Sequence, residues 1–240
     1  MSLDFDIASR VAAVRRELTA AAIAAGRDPK EVKLLAATKQ QPVYRISEAI
    51  AAGVDAVGEN RVQEMREKMD AYSKTELHFI GTLQKNKVKH VVGTVKLIHS
   101  VDSVELAELA ARCAQAQDIV QDILLEVNIA DEESKGGFTT EDLEESLYEI
   151  AALPGLRLRG LMCIPPPPTA DLGSEIFFSK MSKLYVDIKQ KVVDNRNNLR
   201  AEDFSVLSMG MSGDYAEAVR YGSTLVRVGS SIFGPRNYNN

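Results

Sequence analysis

Hydrophobic positions along this chain keep switching between two spacings. Ile7, Val11, Val14, Leu18 and Ala22 recur at steps of three and four, which predicts an amphipathic helix closed by Gly26 and Pro29. A short apolar run at residues 32–38 then predicts a first strand. It stops at Lys39, and Pro42 suits the first turn of a helix reaching about residue 52. The alternation repeats to the end. Further strands are expected at 54–57, 77–80, 95–99, 122–129, 156–164, 204–207 and 225–228. Between them lie helical patterns, one carrying Val62, Met65 and Met69, one starting from Ser103 as N-cap, one over about 140–152 and one over about 174–194.

Eight strands alternating with helices, without a second block of strands, predict a parallel sheet with helical crossovers. Eight units in this length match a closed (β/α)8 barrel of the TIM type, here one domain over residues 1–240 with an extra N-terminal helix. An open doubly wound sheet is the runner-up. It would carry a glycine fingerprint after the first strand, where this chain has Lys39.

Composition narrows the partners. The 240 residues carry a net charge of −5 and no long basic block, which argues against nucleic acid or an anionic membrane. The lysines at 85, 87 and 89 have no aromatic platform beside them and read as a solvated face. Cys113 and Cys163 lack CxxC spacing, and His78, His90 and His99 lack zinc spacing. A reduced, cytoplasmic protein without a structural metal is expected. The first residues do not read as a signal peptide, and no apolar run is long enough to span a bilayer.

Chemistry gathers at the end of the chain. The seventh strand runs into Ser208-Met209-Gly210-Met211-Ser212-Gly213-Asp214, with Ser212 at the start of a helix. The eighth runs into Gly229-Ser230-Ser231. Turns of small residues expose backbone N–H groups that favour a phosphate, and barrel phosphate sites commonly follow strands seven and eight. Closure of a barrel would bring the first strand, tipped by Lys39, beside the eighth. A lysine next to a phosphate cradle suits a sugar phosphate held covalently, or pyridoxal 5′-phosphate (PLP), whose aldehyde condenses with a lysine. Arg227 shares a strand face with Gly229. It could face a pyridine nitrogen, pair with a core carboxylate, or pair with the phosphate. The polar segment 131–137, with Gly136 and Gly137, is expected to form a mobile loop at the same end as Lys39.

The chain resembles the pyridoxal phosphate homeostasis family over almost its whole length. The matching stretches include Ala36-Ala37-Thr38-Lys39, Gly58-Glu59-Asn60-Arg61-Val62-Gln63-Glu64, His78-Phe79-Ile80-Gly81-Thr82-Leu83-Gln84, Ser134-Lys135-Gly136-Gly137-Phe138, Leu207-Ser208-Met209-Gly210-Met211-Ser212 and Arg227-Val228-Gly229-Ser230. Two departures are Leu77, where the family often has Trp, and the pair Gln40-Gln41. The resemblance implies a barrel like the N-terminal domain of alanine racemase, the third fold type of PLP proteins. It implies Lys39 as the Schiff-base lysine, with Ser212, Gly229 and Ser230 on the phosphate, Arg227 facing the ring nitrogen and Asn60 near the ring.

The expected function is PLP homeostasis, meaning cofactor buffering and delivery without evident turnover. The barrel accounts for nearly the whole chain, leaving no second domain to supply a second base, and Arg227 would weaken the cofactor as an electron sink. A racemase-like PLP enzyme using Lys39 as one base is the alternative, although Tyr44, Tyr215 and Tyr221 read as packing residues. A sugar-phosphate lyase and a regulatory protein read by a partner are further hypotheses. PLP, apo forms of PLP-dependent enzymes and regulatory proteins are the expected partners, and a monomer is expected.

Overall fold

The computed structural model describes residues 6–132, 135–167, 173–194, 200 and 202–235. Eight strands close into a barrel in sequence order, each parallel to the next, and the first pairs with the last. They are β1 (Lys33–Ala37), β2 (Ala56–Glu59), β3 (Glu76–Phe79), β4 (Leu97–Val101), β5 (Gln121–Glu126), β6 (Leu156–Met162), β7 (Val206–Ser208) and β8 (Leu225–Val228). The helices are α1 (Ile7–Ala24), α2 (Val43–Ala51), α3 (Val62–Glu67), α4 (Val104–Gln115), α5 (Leu143–Ala151), α6 (Ser174–Asp194), α7 (Tyr215–Arg220) and α8 (Ser230–Phe233). The closed sheet settles the choice against an open one.

Each element forms for local reasons. Asp6 caps α1 by accepting from the Ser9 N–H at 2.7 Å, and α1 buries Ile7, Val11, Val14 and Leu18 against α2, α7 and α8. Ser103 caps α4 as its sequence position predicts. After β3 the chain makes only a 3-10 helix, Lys85–His90, which buries Val88. The helix expected to carry Met69 is shorter than its pattern. It ends at Glu67, so Met65 is buried whereas Met69, in the 3-10 turn Met69–Tyr72, is exposed.

Strand alternation sorts side chains to two sides. Leu34, Ala36, Val57, Ile98 and Val226 point outward into the main core beneath the helices. Leu35, Ala56, Ile80 and Leu225 fill the barrel interior, as do Leu97, Leu124 and Met162. Gly58 fits closely there: a Cβ would meet the side-chain tips of Leu35 (Cδ2, 2.6 Å) and Ile80 (Cδ1, 2.9 Å), which would have to shift. Several inward positions are polar: His78, His99, Ser208 and Arg227, all buried. Their placement matters for the barrel's open end.

Candidate functional site

A cavity of about 230 Å³ opens beyond the C-terminal ends of β1, β7 and β8. Lys39, Ser212, Arg227, Gly229 and Ser230 all line it, so five of the six residues singled out in the sequence meet in one place. Pairing of Lys33 with Leu225 and of Leu35 with Arg227 sets this geometry, because it carries Lys39 beyond β1 beside the turn after β8. Among the described residues the lining holds two cationic side chains and no carboxylate, which favours an anionic ligand.

The two turns are tied together by Ser212. Its Oγ accepts from Gly229 N–H at 3.0 Å and from Ser231 N–H at 3.2 Å, and Ser231 Oγ donates back to Ser212 O. Gly213 is open: a Cβ there would meet nothing within 4 Å. Ser230 begins α8, where an N–H has no partner within its own helix. Small residues, donor groups and the absence of acid fit a phosphate. Ser212 does not itself begin a helix. The cap of α7 is Asp214, whose Oδ1 accepts from Met211 N–H at 2.7 Å, leaving Ser212 inside the turn. Gly210 adopts a φ of +93° and passes close to α7, where a Cβ would lie 2.6 Å from Ala218 Cβ.

Arg227 is buried, and its hydrogen bonds go to uncharged groups. Nη1 donates to Ser208 O at 2.8 Å and to Ser208 Oγ at 2.5 Å, and Nη2 donates to Cys163 O at 2.9 Å. Among the described residues no carboxylate forms a salt bridge with it. Burial lowers its pKa, opposed by the fields of Cys163, Glu126 and Asp214. Glu126, at the tip of β5, is pushed up to about 7, chiefly by burial and then by the nearby Asp102 charge. The Cys163 thiol is pushed up to about 12 by burial, so it stays protonated.

The turn bearing Lys39 is braced from outside the barrel. Gln40 holds a φ of +60°, a left-handed conformation that a side chain disfavours. Its N–H donates to Glu64 Oε2 at 2.7 Å, which pins that conformation. Lys68 bonds the same Glu64 oxygen at 2.9 Å and also reaches Glu59 Oε1 at 3.3 Å. Glu59 is fully buried, and that oxygen also accepts from Thr38 Oγ1 at 2.8 Å and Tyr72 OH at 2.7 Å. Burial and the Glu59 charge raise the Tyr72 pKa far above its usual range, so it remains a donor. The polar run beginning at Gly58 is therefore largely a brace for the lysine turn. Sequence reasoning missed Lys68 and Tyr72. The available signal was a glutamate ending an apolar strand, followed by a Glu64–Lys68 pair at helical spacing.

Asn60 stands apart from the other five. It lines a different cavity of about 840 Å³ with Arg61, Arg66, Lys87 and His90. Even so, Ala37 pairs with Gly58, so Lys39 and Asn60 lie two residues beyond a matched pair on adjacent strands. The loop after β5 is held at both ends: Asn128 exchanges hydrogen bonds with Glu132, and Val127 bridges to Phe138. Ser134, within that loop's motif, lies outside the described residues, as does Pro168 of the proline run. The tyrosines pack or face solvent. Tyr44 is exposed, Tyr215 donates to Glu17 of α1, and Tyr221 lies against the core. No helix among the described residues is long and apolar enough to cross a membrane.

The family model of the alanine racemase N-terminal domain matches residues 11–237. A pyridoxal phosphate homeostasis protein of Aquifex aeolicus is 39% identical over 231 residues, covering 95% of this chain and 98% of the relative. The solved structure of PipY from Synechococcus elongatus with PLP bound is 32% identical, with a TM-score of 0.78, covering 95% of this chain and all of that one. An alanine racemase of Clostridium difficile shares the fold at a TM-score of 0.72 and 14% identity, and the match spans 58% of its length.

Proposed function

The chain belongs to the pyridoxal phosphate homeostasis proteins, within the alanine racemase N-terminal domain family, and from that premise we propose that it binds PLP at the Lys39 cavity and serves to hold and release it. The observation that carries this reading is the meeting of Lys39, Ser212, Arg227, Gly229 and Ser230 around one acid-free cavity. When bound, the cofactor supplies an aldehyde for a covalent link to an amine and a conjugated ring that can take up charge. Each residue then has a task. Lys39 provides the amine for the Schiff base. Ser212 would order the two turns, and the Gly229–Ser230 turn would receive the phosphate, with the Gly229 N–H first released from Ser212 Oγ. Arg227 presents a fixed positive charge to the ring nitrogen and disfavours a proton there. Asn60, leaving the strand next to that of Lys39, lines a separate cavity and would have to reach the ring from that side.

Buffering and delivery without turnover is supported by the lining of the cavity. Apart from Lys39, no His, Tyr, Cys, Asp or Glu lines it among the described residues, so a second base for proton exchange at Cα is wanting. Apo forms of PLP-dependent enzymes are the proposed recipients, in the cytoplasm. The test uses the PLP-loaded protein. It should restore activity to an apo PLP-dependent enzyme while incorporating no solvent deuterium at Cα of common amino acids. Rapid deuterium incorporation would make it a racemase-like enzyme instead.

A further inference from the structure

A line of polar side chains crosses the barrel interior from its base to the Lys39 cavity. Glu76 and His78 come from β3, His99 from β4, Ser208 from β7 and Arg227 from β8. Neighbouring members are close. Arg227 Nη1 lies 2.5 Å from Ser208 Oγ, Ser208 Oγ lies 3.0 Å from His99 Nδ1, and His99 Nε2 lies 3.0 Å from His78 Nδ1. His78 Nε2 lies 3.6 Å from Glu76 Oε2, a charge contact rather than a hydrogen bond, and has no hydrogen-bond partner among the described residues.

The direction of every bond follows from one end. A guanidinium only donates, so Ser208 Oγ accepts from Arg227. The hydroxyl proton is left for the other close neighbour, so His99 Nδ1 accepts. His99 must then carry its proton on Nε2 and donate to His78 Nδ1. His78 in turn carries its proton on Nε2, pointing toward Glu76. Reversing the Ser208–His99 bond leaves the buried hydroxyl proton without an acceptor, reversing the His99–His78 bond alone strips His99 of both ring protons, and a bare His78 Nε2 would set its lone pair against the Glu76 carboxylate.

We propose that Ser208, His99 and His78 act as positioning residues, a one-way donor chain that fixes the Arg227 guanidinium at the cavity and links its charge to the Glu76 carboxylate at the barrel base. This rests on reading the cavity as the cofactor site. The chain explains how a buried cation is held without a direct carboxylate partner: aligned dipoles lie between the two opposite charges. Both rings are kept neutral. Burial lowers the His99 pKa well below the ordinary value, helped by the His78 and Arg227 fields. Burial also lowers that of His78, with Lys33 and Lys96 adding to the effect and Glu76 opposing it. Glu76 is held down to about 2, first by its contact with His78 and then by Lys33 and Lys96, so the far end stays charged.

Nitrogen-15 NMR of the ligand-free protein tests the chain without any cofactor. His99 and His78 should each show a bare Nδ1 and a protonated Nε2, and both should stay neutral from about pH 8 to about pH 6, where an ordinary histidine titrates. A proton on His99 Nδ1, or an imidazolium at neutral pH, overturns the proposal. A second measurement separates positioning from packing. His99→Asn keeps an acceptor near Nδ1, whereas His99→Leu fills space without one. Absorbance titration with PLP should show affinity within about threefold of wild type for the Asn variant and a loss of about tenfold for the Leu variant. Equal affinities in the two variants contradict the chain. A failure of PLP to bind wild type at all would instead overturn the cofactor reading, with the tautomers unaffected.

Discussion

Ser212 does more than its sequence position suggests. The Gly/Ser turn points to it as a phosphate ligand, and the structure adds that its Oγ ties the turn after β7 to that after β8. Ser212→Ala is therefore expected to act twice. PLP affinity should fall by about 1–3 kcal/mol, the range of a hydrogen bond to a charged group, read by absorbance titration. Thermal stability should fall by about 1 kcal/mol even without ligand, since two backbone donors lose their acceptor. Lys68, by contrast, stands out only in three dimensions. It is the cation nearest the buried Glu59 and shares Glu64 with the Gln40 N–H. Lys68→Met should destabilise the fold by about 3 kcal/mol, measured by urea denaturation, because a buried carboxylate loses its countercharge. Loss of less than about 1 kcal/mol would mean that Thr38 and Tyr72 alone satisfy Glu59.

Much of the element pattern is legible in the sequence, because each strand is a short apolar run bounded by turn residues. The run at 225–228 is the observed β8, and the pattern over 174–194 is the observed α6. Differences arise where a strand buries polar groups. The fourth strand reads as ending at His99, whereas β4 continues through Ser100 to Val101. A histidine and a serine look like a strand end, yet both are buried, with His99 satisfied by Ser208 and His78. Similarly, the second strand reads as ending before Gly58, yet β2 includes Gly58 and Glu59. Gly58 lets the ends of Leu35 and Ile80 fill the interior beside it, and Glu59 is held because Thr38, Tyr72 and Lys68 surround it. Such partners lie on other elements, from 9 residues away for Lys68 and Glu59 to 109 for Ser208 and His99, so no local window of sequence displays them. The two small-residue turns that meet at the cavity are legible because their signal is local: glycine and serine at two successive strand ends.

At the scale of the molecule, the barrel mouth carries an imbalance that pH can reveal. Glu126 has a folded pKa of about 7 against an ordinary 4.5. The native state therefore binds the proton more tightly than the unfolded chain. Stability should be greater below about pH 4.5 and decline as pH rises through about 7, by at most on the order of 3 kcal/mol from this group. Glu126→Gln should flatten that part of the stability profile, followed by denaturant unfolding at a series of pH values. An unchanged slope would assign the decline to other groups. The same mouth joins the first strand to the last. Ring closure brings Lys39, near the start of the chain, next to turns near its end, and the whole functional reading depends on that juxtaposition.

The most direct test of the account is to load the protein with PLP, reduce it with borohydride and map the modified residue by peptide mass spectrometry. The account predicts a pyridoxyl group on Lys39, and no such modification when Lys39→Ala protein is treated in parallel. Modification centred on another lysine, with Lys39 unmodified, would contradict it.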